Sequence, residues 1–399
     1  MIAGVLLLAA FAAAPAPFQD GALAFHTRRI YAAPGSERPY LEDAWLVVEQ
    51  GRVAAVVENR EELPPLLPVV ELGDAVIVPG LVAADSTEAG AGWTQGDRAL
   101  GAGRRALDDF DLYADRRRIL ARGVTAFYLS PARDRLIGGR GAVVKTAGEH
   151  RVLAPVTDLR VSLEPSAFSP LPFFRPPIPP SSDNPIRPQA PQPATSRAGA
   201  MLALRETAAE ALGGEAGLDP PLAALRDFFR GRGRLRVSAT RLGEVEGALE
   251  LASEWKTPLL IDGGGQADGL ADRIAAAGAG VLFKVPLFLS SPGLPPDWAP
   301  PGADALEKLA AQGIPLAVAP GGDGQWSHLL AAAAAAVGYG LREDQALAAI
   351  TSVPARLLGV GNRVGSLLPG FDADFAVLTG NPLDPGTSVR RVYIEGRRA

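Results

Sequence analysis

Between residues 124 and 350, short apolar segments alternate with longer amphipathic ones, and this alternation limits the possible folds more than any other feature. Strands are predicted at 124–130, 235–240, 258–262, 280–285 and 314–319. Helices are predicted at 108–123, 198–212, 221–230, 243–255, 266–277, 303–312, 327–337 and 343–350. Near-continuous apolar strands between helices indicate an α/β fold with a parallel sheet covered on both faces. In a chain of 399 residues, we expect such a sheet to close into a (β/α)8 TIM-type barrel.

Both ends of the chain predict β-structure instead. Residues 24–78 contain short strands and a hairpin turn at Gly51, and residues 362–399 contain strands too few to fold alone. We therefore expect one composite β-sandwich domain from 24–78 plus 362–399, and a barrel from 79–361. Residues 165–193 hold 11 prolines, which predicts an extended insertion into the barrel, either a lid or a passive surface loop.

The first 20 residues contain an apolar run of signal-peptide length that ends in small residues. This pattern predicts a signal peptide at 1–20 and an exported protein, periplasmic or extracellular; the alternative is a buried first strand or helix. The run is too short for a comfortable membrane span, so no span is expected. A net charge of −5 without a clustered basic face gives no reason to expect a nucleic-acid partner.

Histidine and cysteine counts limit the chemistry. The chain has no cysteine, which excludes disulfides and thiolate-bound zinc. It has three histidines, His26, His150 and His328, whereas a hydrolytic zinc site usually uses two or three. His26 and His150 have no evident partners in the sequence. His328 begins a helix after the last predicted barrel strand, where it could act as an acid or base or simply lie on the surface.

Two motifs carry a family resemblance. The segment "VIVPGLVAAD" at 76–85 leads into the predicted barrel, and "AITSVPARLLGVGNRVGSLLPGFDADFAVLTGNPLDP" at 349–385 follows it. Together they resemble the amidohydrolase superfamily, most closely its imidazolonepropionase-like branch. The resemblance implies metal-dependent hydrolysis of non-peptide carbon–nitrogen bonds, often in cyclic amides. The second motif is structural in character, because Ser352 can cap a helix and Asp372 and Asp374 can accept bonds from local amides.

The resemblance also locates the family's metal ligands, and histidine is missing at every one of these positions. The first His-x-His pair falls on Asp85 and Thr87, and the second on Ser238 and Thr240. The next histidine falls on Gly263. The aspartate that accepts the proton of the attacking water falls near Gly321, with Asp323 two residues later. These positions are expected to line one roomy pocket at the carboxyl ends of the strands, with water, Lys145 or Arg241 filling the space.

Two functions follow from this pattern. The first is a non-catalytic binding or scaffold protein for an unidentified small molecule, with no metal cofactor. The second is an active hydrolase that either holds a hard divalent metal at Asp85, with Asp262 and Asp323, or works without metal. Lys145 could match the family's bridging lysine, or it could be solvated or salt-bridged. Lys284 could likewise be solvated or salt-bridged, or it could be reactive if its apolar flanks depress its pKa. The sequence does not indicate an oligomeric state.

Overall fold

The computed structural model describes residues 21–89, 100–168, 194, 196–213, 219–231, 233–287 and 300–399, with the side chain of Asp323 outside this set. The strands are β1 (Leu23–Ile30), β2 (Leu41–Glu49), β3 (Arg52–Val57), β4 (Val69–Glu71), β5 (Val76–Pro79), β6 (Leu81–Ala83), β7 (Val124–Leu129), β8 (Ile137–Arg140), β9 (Ala142–Lys145), β10 (Val152–Ala154), β11 (Leu159–Ser162), β12 (Leu235–Ala239), β13 (Leu259–Gly263), β14 (Gly280–Val285), β15 (Leu316–Pro320), β16 (Phe375–Leu378), β17 (Val389–Ile394) and β18 (Arg397–Arg398). The helices are α1 (Arg117–Leu120), α2 (Arg197–Gly213), α3 (Pro220–Arg230), α4 (Leu242–Trp255), α5 (Ala271–Ala276), α6 (Ala305–Ala311), α7 (Leu329–Val337), α8 (Glu343–Ala348) and α9 (Ser352–Leu357).

Strands from the two ends of the chain pair in one sheet, which we call the end sheet. Its order is β18-β17-β16-β5-β1-β2-β3, with β4 paired to β1. The strand β16, from the C-terminal end, lies antiparallel to β5, so that Ala376 is opposite Val78. Aromatic side chains fill the core of this sheet, where Phe25 packs edge-on against Phe375 with ring centroids 5.0 Å apart. The two ends are therefore joined through the ladder between β5 and β16.

The centre of the chain forms two further sheets, ordered β10-β9-β7-β6 and β15-β14-β13-β12-β11-β8. The five strands from β11 to β15 are parallel, as the alternation of strands and helices predicts. The segment Ala349–Ile350 lies between the two sheets. The Val82 amide in β6 donates to the carbonyl of Ile350 at 2.9 Å, and the Val318 amide in β15 donates to that of Ala349 at 2.9 Å.

The predicted helix at 108–123 is wrong over most of its length. The structure has a 3₁₀ turn at Ala106–Asp109 and only the four-residue α1 at Arg117–Leu120. Arg116 accounts for part of this difference: its guanidinium donates to the carbonyl of Asp111 at 2.6 Å and lies over the Phe110 ring, 4.1 Å from its centroid. These contacts hold the chain in an irregular path.

Two predictions fall on segments outside the described residues. The signal peptide is predicted at 1–20, and most of the proline-rich insertion lies at 169–193. Export therefore stays a prediction. In the described part of the chain, no helix combines the length and apolar character that crossing a bilayer requires.

Side chains on the central strands alternate between two environments, as strand geometry requires. One face contributes Val161, Val237, Ile261, Val281 and Val318 to the large core beneath the helices. The opposite face carries a smaller apolar cluster containing Leu260, Leu282, Ala317 and Ala319. We call this opposite face the charged face, because it also carries Arg160, Arg236, Asp262 and Lys284, one from each of β11 to β14. Asp262 and Lys284 each lie two residues after a leucine of the apolar cluster on the same face. The candidate site lies on this face.

Candidate functional site

Six charged side chains meet at the charged face, and we call them the central ion-pair network. They are Asp85, which follows β6, Arg133, which follows β7, and the four residues Arg160, Arg236, Asp262 and Lys284 of β11 to β14. The Asp85 side chain is only 5% exposed and that of Asp262 is fully buried. Buried charges are stable only when they are paired, and here each carboxylate contacts several cations.

Asp262 is held by three cations. Its Oδ2 atom lies 2.8 Å from Nη1 of Arg160 and 2.8 Å from Nε of Arg236. Its Oδ1 atom lies 3.1 Å from Nζ of Lys284. Burial tends to raise the pKa of Asp262, but the charges of Lys284, Arg236 and Arg160 outweigh it and hold the pKa well below its usual range. Asp262 is therefore an anion at neutral pH.

Asp85 is held in a similar way. Its Oδ1 atom lies 3.0 Å from Arg133, and its Oδ2 atom lies 3.3 Å from Lys284. Burial raises its pKa and the charges of Arg133 and Lys284 lower it, with a net lowering. Arg133 also donates to the carbonyl of Ser86 at 2.7 Å, which fixes the turn that carries Asp85.

The two buried arginines are fixed by neutral groups as well. Arg160 donates to the hydroxyl of Ser238 at 2.7 Å, and Arg236 donates to the carbonyl of Ala84 at 2.6 Å. The guanidinium of Arg236 also lies over the Tyr128 ring, 3.9 Å from its centroid. These contacts fix the two guanidinium groups beside Asp262.

The hypothesis of a reactive Lys284 is wrong. Burial lowers the pKa of Lys284, but the carboxylates of Asp262 and Asp85 outweigh burial and raise the pKa above its ordinary value. A lysine with a raised pKa is protonated at neutral pH and is a poor nucleophile. Lys284 acts here as a cation.

The structure brings only some of the predicted site residues together. Asp85 and Ser238 both contact members of the central ion-pair network. Thr240 instead donates to Glu164 at 2.8 Å, while Thr87 and Gly321 are exposed. The Gly321 amide donates to the carbonyl of Val285 at 2.8 Å.

Gly263 has a backbone conformation that excludes a side chain. Its φ angle is +124°, a value that L-residues rarely adopt. A Cβ atom added here would lie 2.7 Å from the Thr240 hydroxyl and 2.9 Å from the carbonyl oxygen of Ala239. A histidine therefore does not fit at this position without movement of the backbone.

Lys145 does not share this site, contrary to our prediction. Its ammonium group lies 2.8 Å from Asp372, 2.9 Å from Asp374 and 3.3 Å from Glu395. We call these four residues the Lys145 cluster; it connects β9 to the end sheet. The carboxylates of Asp372 and Asp374 contact this cluster and more distant groups, such as the Glu395 amide at 2.8 Å, instead of the local amides that we predicted. The salt-bridged alternative for Lys145 is the one that the structure shows.

Arg241 does not fill the pocket either, because it lies at the start of α4, 3.7 Å from Glu244. The histidines have partners that the sequence did not reveal. His26 contacts Glu71 at 2.7 Å and Asp43 at 3.0 Å. His150 lies 3.6 Å from Glu395. All of these contacts lie away from the central ion-pair network.

His328 lies beside Arg122, and burial together with that arginine lowers its pKa. Among the described residues, no group of three or more histidine, aspartate or glutamate side chains could hold a metal ion. The proposed set of Asp85, Asp262 and Asp323 includes a side chain outside that description.

Comparisons with known proteins agree with the resemblance over part of the chain. The C-terminal part of the chain, residues 239–399, matches the amidohydrolase family. The match includes the C-terminal motif, so the predicted resemblance is confirmed there.

Two relatives support the same family over short segments. The chain is 42% identical over 69 residues to the amidohydrolase tasK of Hapsidospora irregularis, which is 17% of this chain and 7% of that protein. It is 34% identical over 114 residues to an imidazolonepropionase of Stenotrophomonas maltophilia, which is 27% of this chain and 26% of that protein. The matched part thus spans about a quarter or less of each relative's length.

The fold as a whole is similar to a solved amidohydrolase from Thermotoga maritima. The TM-score is 0.77 at 24% identity, and the alignment covers 94% of this chain and 99% of that one. The α/β fold of an amidohydrolase is therefore established for the chain, whereas its activity is a separate matter.

Proposed function

We propose that this protein is a non-hydrolytic member of the amidohydrolase superfamily that keeps the fold as a binding or scaffold protein. One observation carries the proposal: Gly263, where the resemblance places a histidine, has a backbone conformation that strongly disfavours any side chain. A simple exchange of one ligand for another would leave that backbone unchanged. The backbone at Gly263 favours glycine over a residue that carries an imidazole.

The donor set around the site supports the same conclusion. Ser238 and Thr240 offer hydroxyl groups, which are poor zinc ligands. The Asp85 and Asp262 carboxylates already contact lysine and arginine at 2.8–3.3 Å. The family metal does not fit these residues, because a divalent cation would displace or repel the cations that are present.

The proposal includes a (β/α)8 barrel and a composite β-sandwich. The parallel order from β11 to β15 and the pairing of β6 with β7 support the barrel. The hydrogen bonds of Ala349–Ile350 to both β6 and β15 support its closure. The end sheet supports a domain built from both chain ends.

An active hydrolase with a carboxylate-held metal is the second candidate. Asp85 and Asp262 favour it, since both side chains are anions and both lie near one point, the Nζ atom of Lys284. Three arginines on the same carboxylates argue against it. His328, next to Arg122, is in no contact with either aspartate.

Metal analysis of the purified protein separates the two candidates. We expect well under one metal ion per chain, both as purified and after incubation with zinc followed by removal of the excess. We also expect no zinc-dependent hydrolysis across a panel of linear and cyclic amides. Stoichiometric metal that disappears in Asp85→Asn, but persists in the surface variant Asp304→Asn, would establish the hydrolase instead.

A further inference from the structure

Lys284 occupies a bridging position between the two buried aspartates of the central ion-pair network. Its Nζ atom lies 3.3 Å from Oδ2 of Asp85 and 3.1 Å from Oδ1 of Asp262. Asp85 follows β6, and Asp262 lies in β13, next to its last residue. A single positive charge therefore links two strands that are far apart in sequence.

The other oxygens of the two carboxylates are held by guanidinium groups. Oδ2 of Asp262 lies 2.8 Å from both Arg160 and Arg236, and Oδ1 of Asp85 lies 3.0 Å from Arg133. One oxygen of each aspartate thus remains for Lys284. Because both aspartates are buried, loss of Lys284 would leave these two oxygens without a positive partner.

We propose that the Lys284 ammonium group is a built-in cation that holds Asp85 and Asp262 together at a site without a metal ion. Shortening this side chain then creates a binding site for a small monovalent alkylammonium ion. The inference goes beyond the proposed function, although it rests on the absence of a metal centre. It assigns the positive charge that joins the two aspartates to one side chain, Lys284.

The charge balance favours a monovalent occupant. Without Lys284, three arginines (Arg133, Arg160 and Arg236) face Asp85, Asp262 and Asp158, the last of which lies 3.9 Å from Arg236. An alkylammonium ion restores the charge of the native network. A divalent ion adds one further buried charge close to the arginines, which is unfavourable at low dielectric constant.

The test uses Lys284→Ala and the n-propylammonium ion, which supplies the three carbon atoms and the ammonium group that alanine lacks. We expect the midpoint of thermal unfolding to fall by roughly 5–10 °C in the variant. Propylammonium chloride should restore about half of that loss relative to sodium chloride at equal ionic strength. Neutral 1-propanol, of the same length, should restore none.

Lys308→Ala is the matched control. Lys308 also contacts two carboxylates, Asp304 at 3.0 Å and Asp268 at 3.7 Å, but its side chain is 52% exposed. We expect little loss in this variant and no response to propylammonium, because exposed ion pairs contribute little. The wild-type protein should not respond either.

Each outcome decides the inference. A Lys284→Ala variant that keeps the wild-type midpoint, or that responds equally to 1-propanol, would overturn it. Stabilisation by magnesium chloride in place of propylammonium would also overturn it, in favour of a residual hard-metal site.

If the alanine variant does not fold, Lys284→Met is compared with Lys284→Met/Asp85→Asn, and the inference requires the double variant to be the more stable. Metal in the wild-type protein would refute the proposed function, whereas absence of rescue would refute this inference alone.

Discussion

At the residue scale, Gly263 gives the sharpest prediction about stability. An alanine at this position must adopt a φ angle near +124° and place its Cβ 2.9 Å from the Ala239 carbonyl oxygen. Backbone strain costs roughly 1–3 kcal/mol and the steric overlap roughly 1–3 kcal/mol more. We therefore expect Gly263→Ala to lower the free energy of unfolding by about 2–5 kcal/mol, measured by urea denaturation.

Gly278→Ala is the control, because Gly278 has a φ angle of +61° and an added Cβ would meet no atom within 4 Å. It should cost only the conformational strain, roughly 1–2 kcal/mol. Equal losses in the two variants would show that the backbone at Gly263 relaxes readily, and would weaken the case against a side chain there.

The sequence predicts that histidine is missing where the resemblance places the metal ligands, but it does not predict which side chains meet at the charged face. Arg236, Asp262 and Lys284 lie in strands predicted from their apolar neighbours, whereas the strand that carries Arg160 was not predicted. The available signal was their spacing: each charge lies where strand periodicity turns a side chain away from the helices. A charged residue at such a position predicts a polar interior on that face.

At the element scale, the Lys145 cluster connects β9 to the end sheet, and we expect Lys145→Met to disrupt this connection. The Lys145 side chain is fully buried and contacts Asp372, Asp374 and Glu395. Removal of one partner from a buried ion pair typically costs about 3–5 kcal/mol. Lys256→Met, in the left-handed position that ends α4, is the matched control and should cost less than 1 kcal/mol, about the range of a surface substitution.

The pH dependence of this loss follows from the pKa directions. Burial lowers the pKa of Lys145, but its acidic partners raise it above the ordinary 10.5, so the stabilisation disappears only as the pH rises through that raised value. Burial raises the pKa of Asp372 and of Glu395, but Lys145 lowers both below their ordinary values, so their stabilisation disappears as the pH falls through those values. Burial raises the pKa of Asp374 above its ordinary value even beside Lys145, and loss of Lys145 raises it further. The difference in unfolding free energy between wild type and Lys145→Met should therefore be largest between about pH 7 and 10 and should fall on both sides. A difference that is constant down to pH 3 would contradict the role assigned to the carboxylates.

The prediction of elements was accurate where local patterns dominate. The helix predicted at 243–255 is α4 at Leu242–Trp255, and the strand predicted at 280–285 is β14 at Gly280–Val285. Long-range ion pairs were inaccessible, since Lys145 and Glu395 are 250 residues apart. The helix predicted at 108–123 failed because the contacts of Arg116 override the local spacing of apolar residues.

At the scale of the whole molecule, both chain ends were predicted to associate, since neither has enough strands to be stable alone. The end sheet places β16 beside β5, and β5 continues through Gly80 into β6 of the central part. An added Cβ at Gly80 would lie 2.0 Å from the Thr125 hydroxyl, so this junction packs directly on β7. The end sheet and the central sheets are thus linked by a tightly packed junction as well as by the Lys145 cluster.

This coupling predicts that removal of residues 389–399 destabilises the central sheets as well as the end sheet. The deletion takes away β17, the antiparallel partner of β16, and Glu395, a member of the Lys145 cluster. We expect hydrogen–deuterium exchange to accelerate in β7, β9 and β13 along with β5 and β16, because local opening spreads through shared packing. Removal of 397–399 alone, which takes only the exposed strand β18, should leave exchange in the central strands unchanged. If the longer deletion accelerates exchange only in the end sheet, the end sheet and the central sheets are independently stable units. The Lys145 cluster would then be a contact between them without thermodynamic coupling.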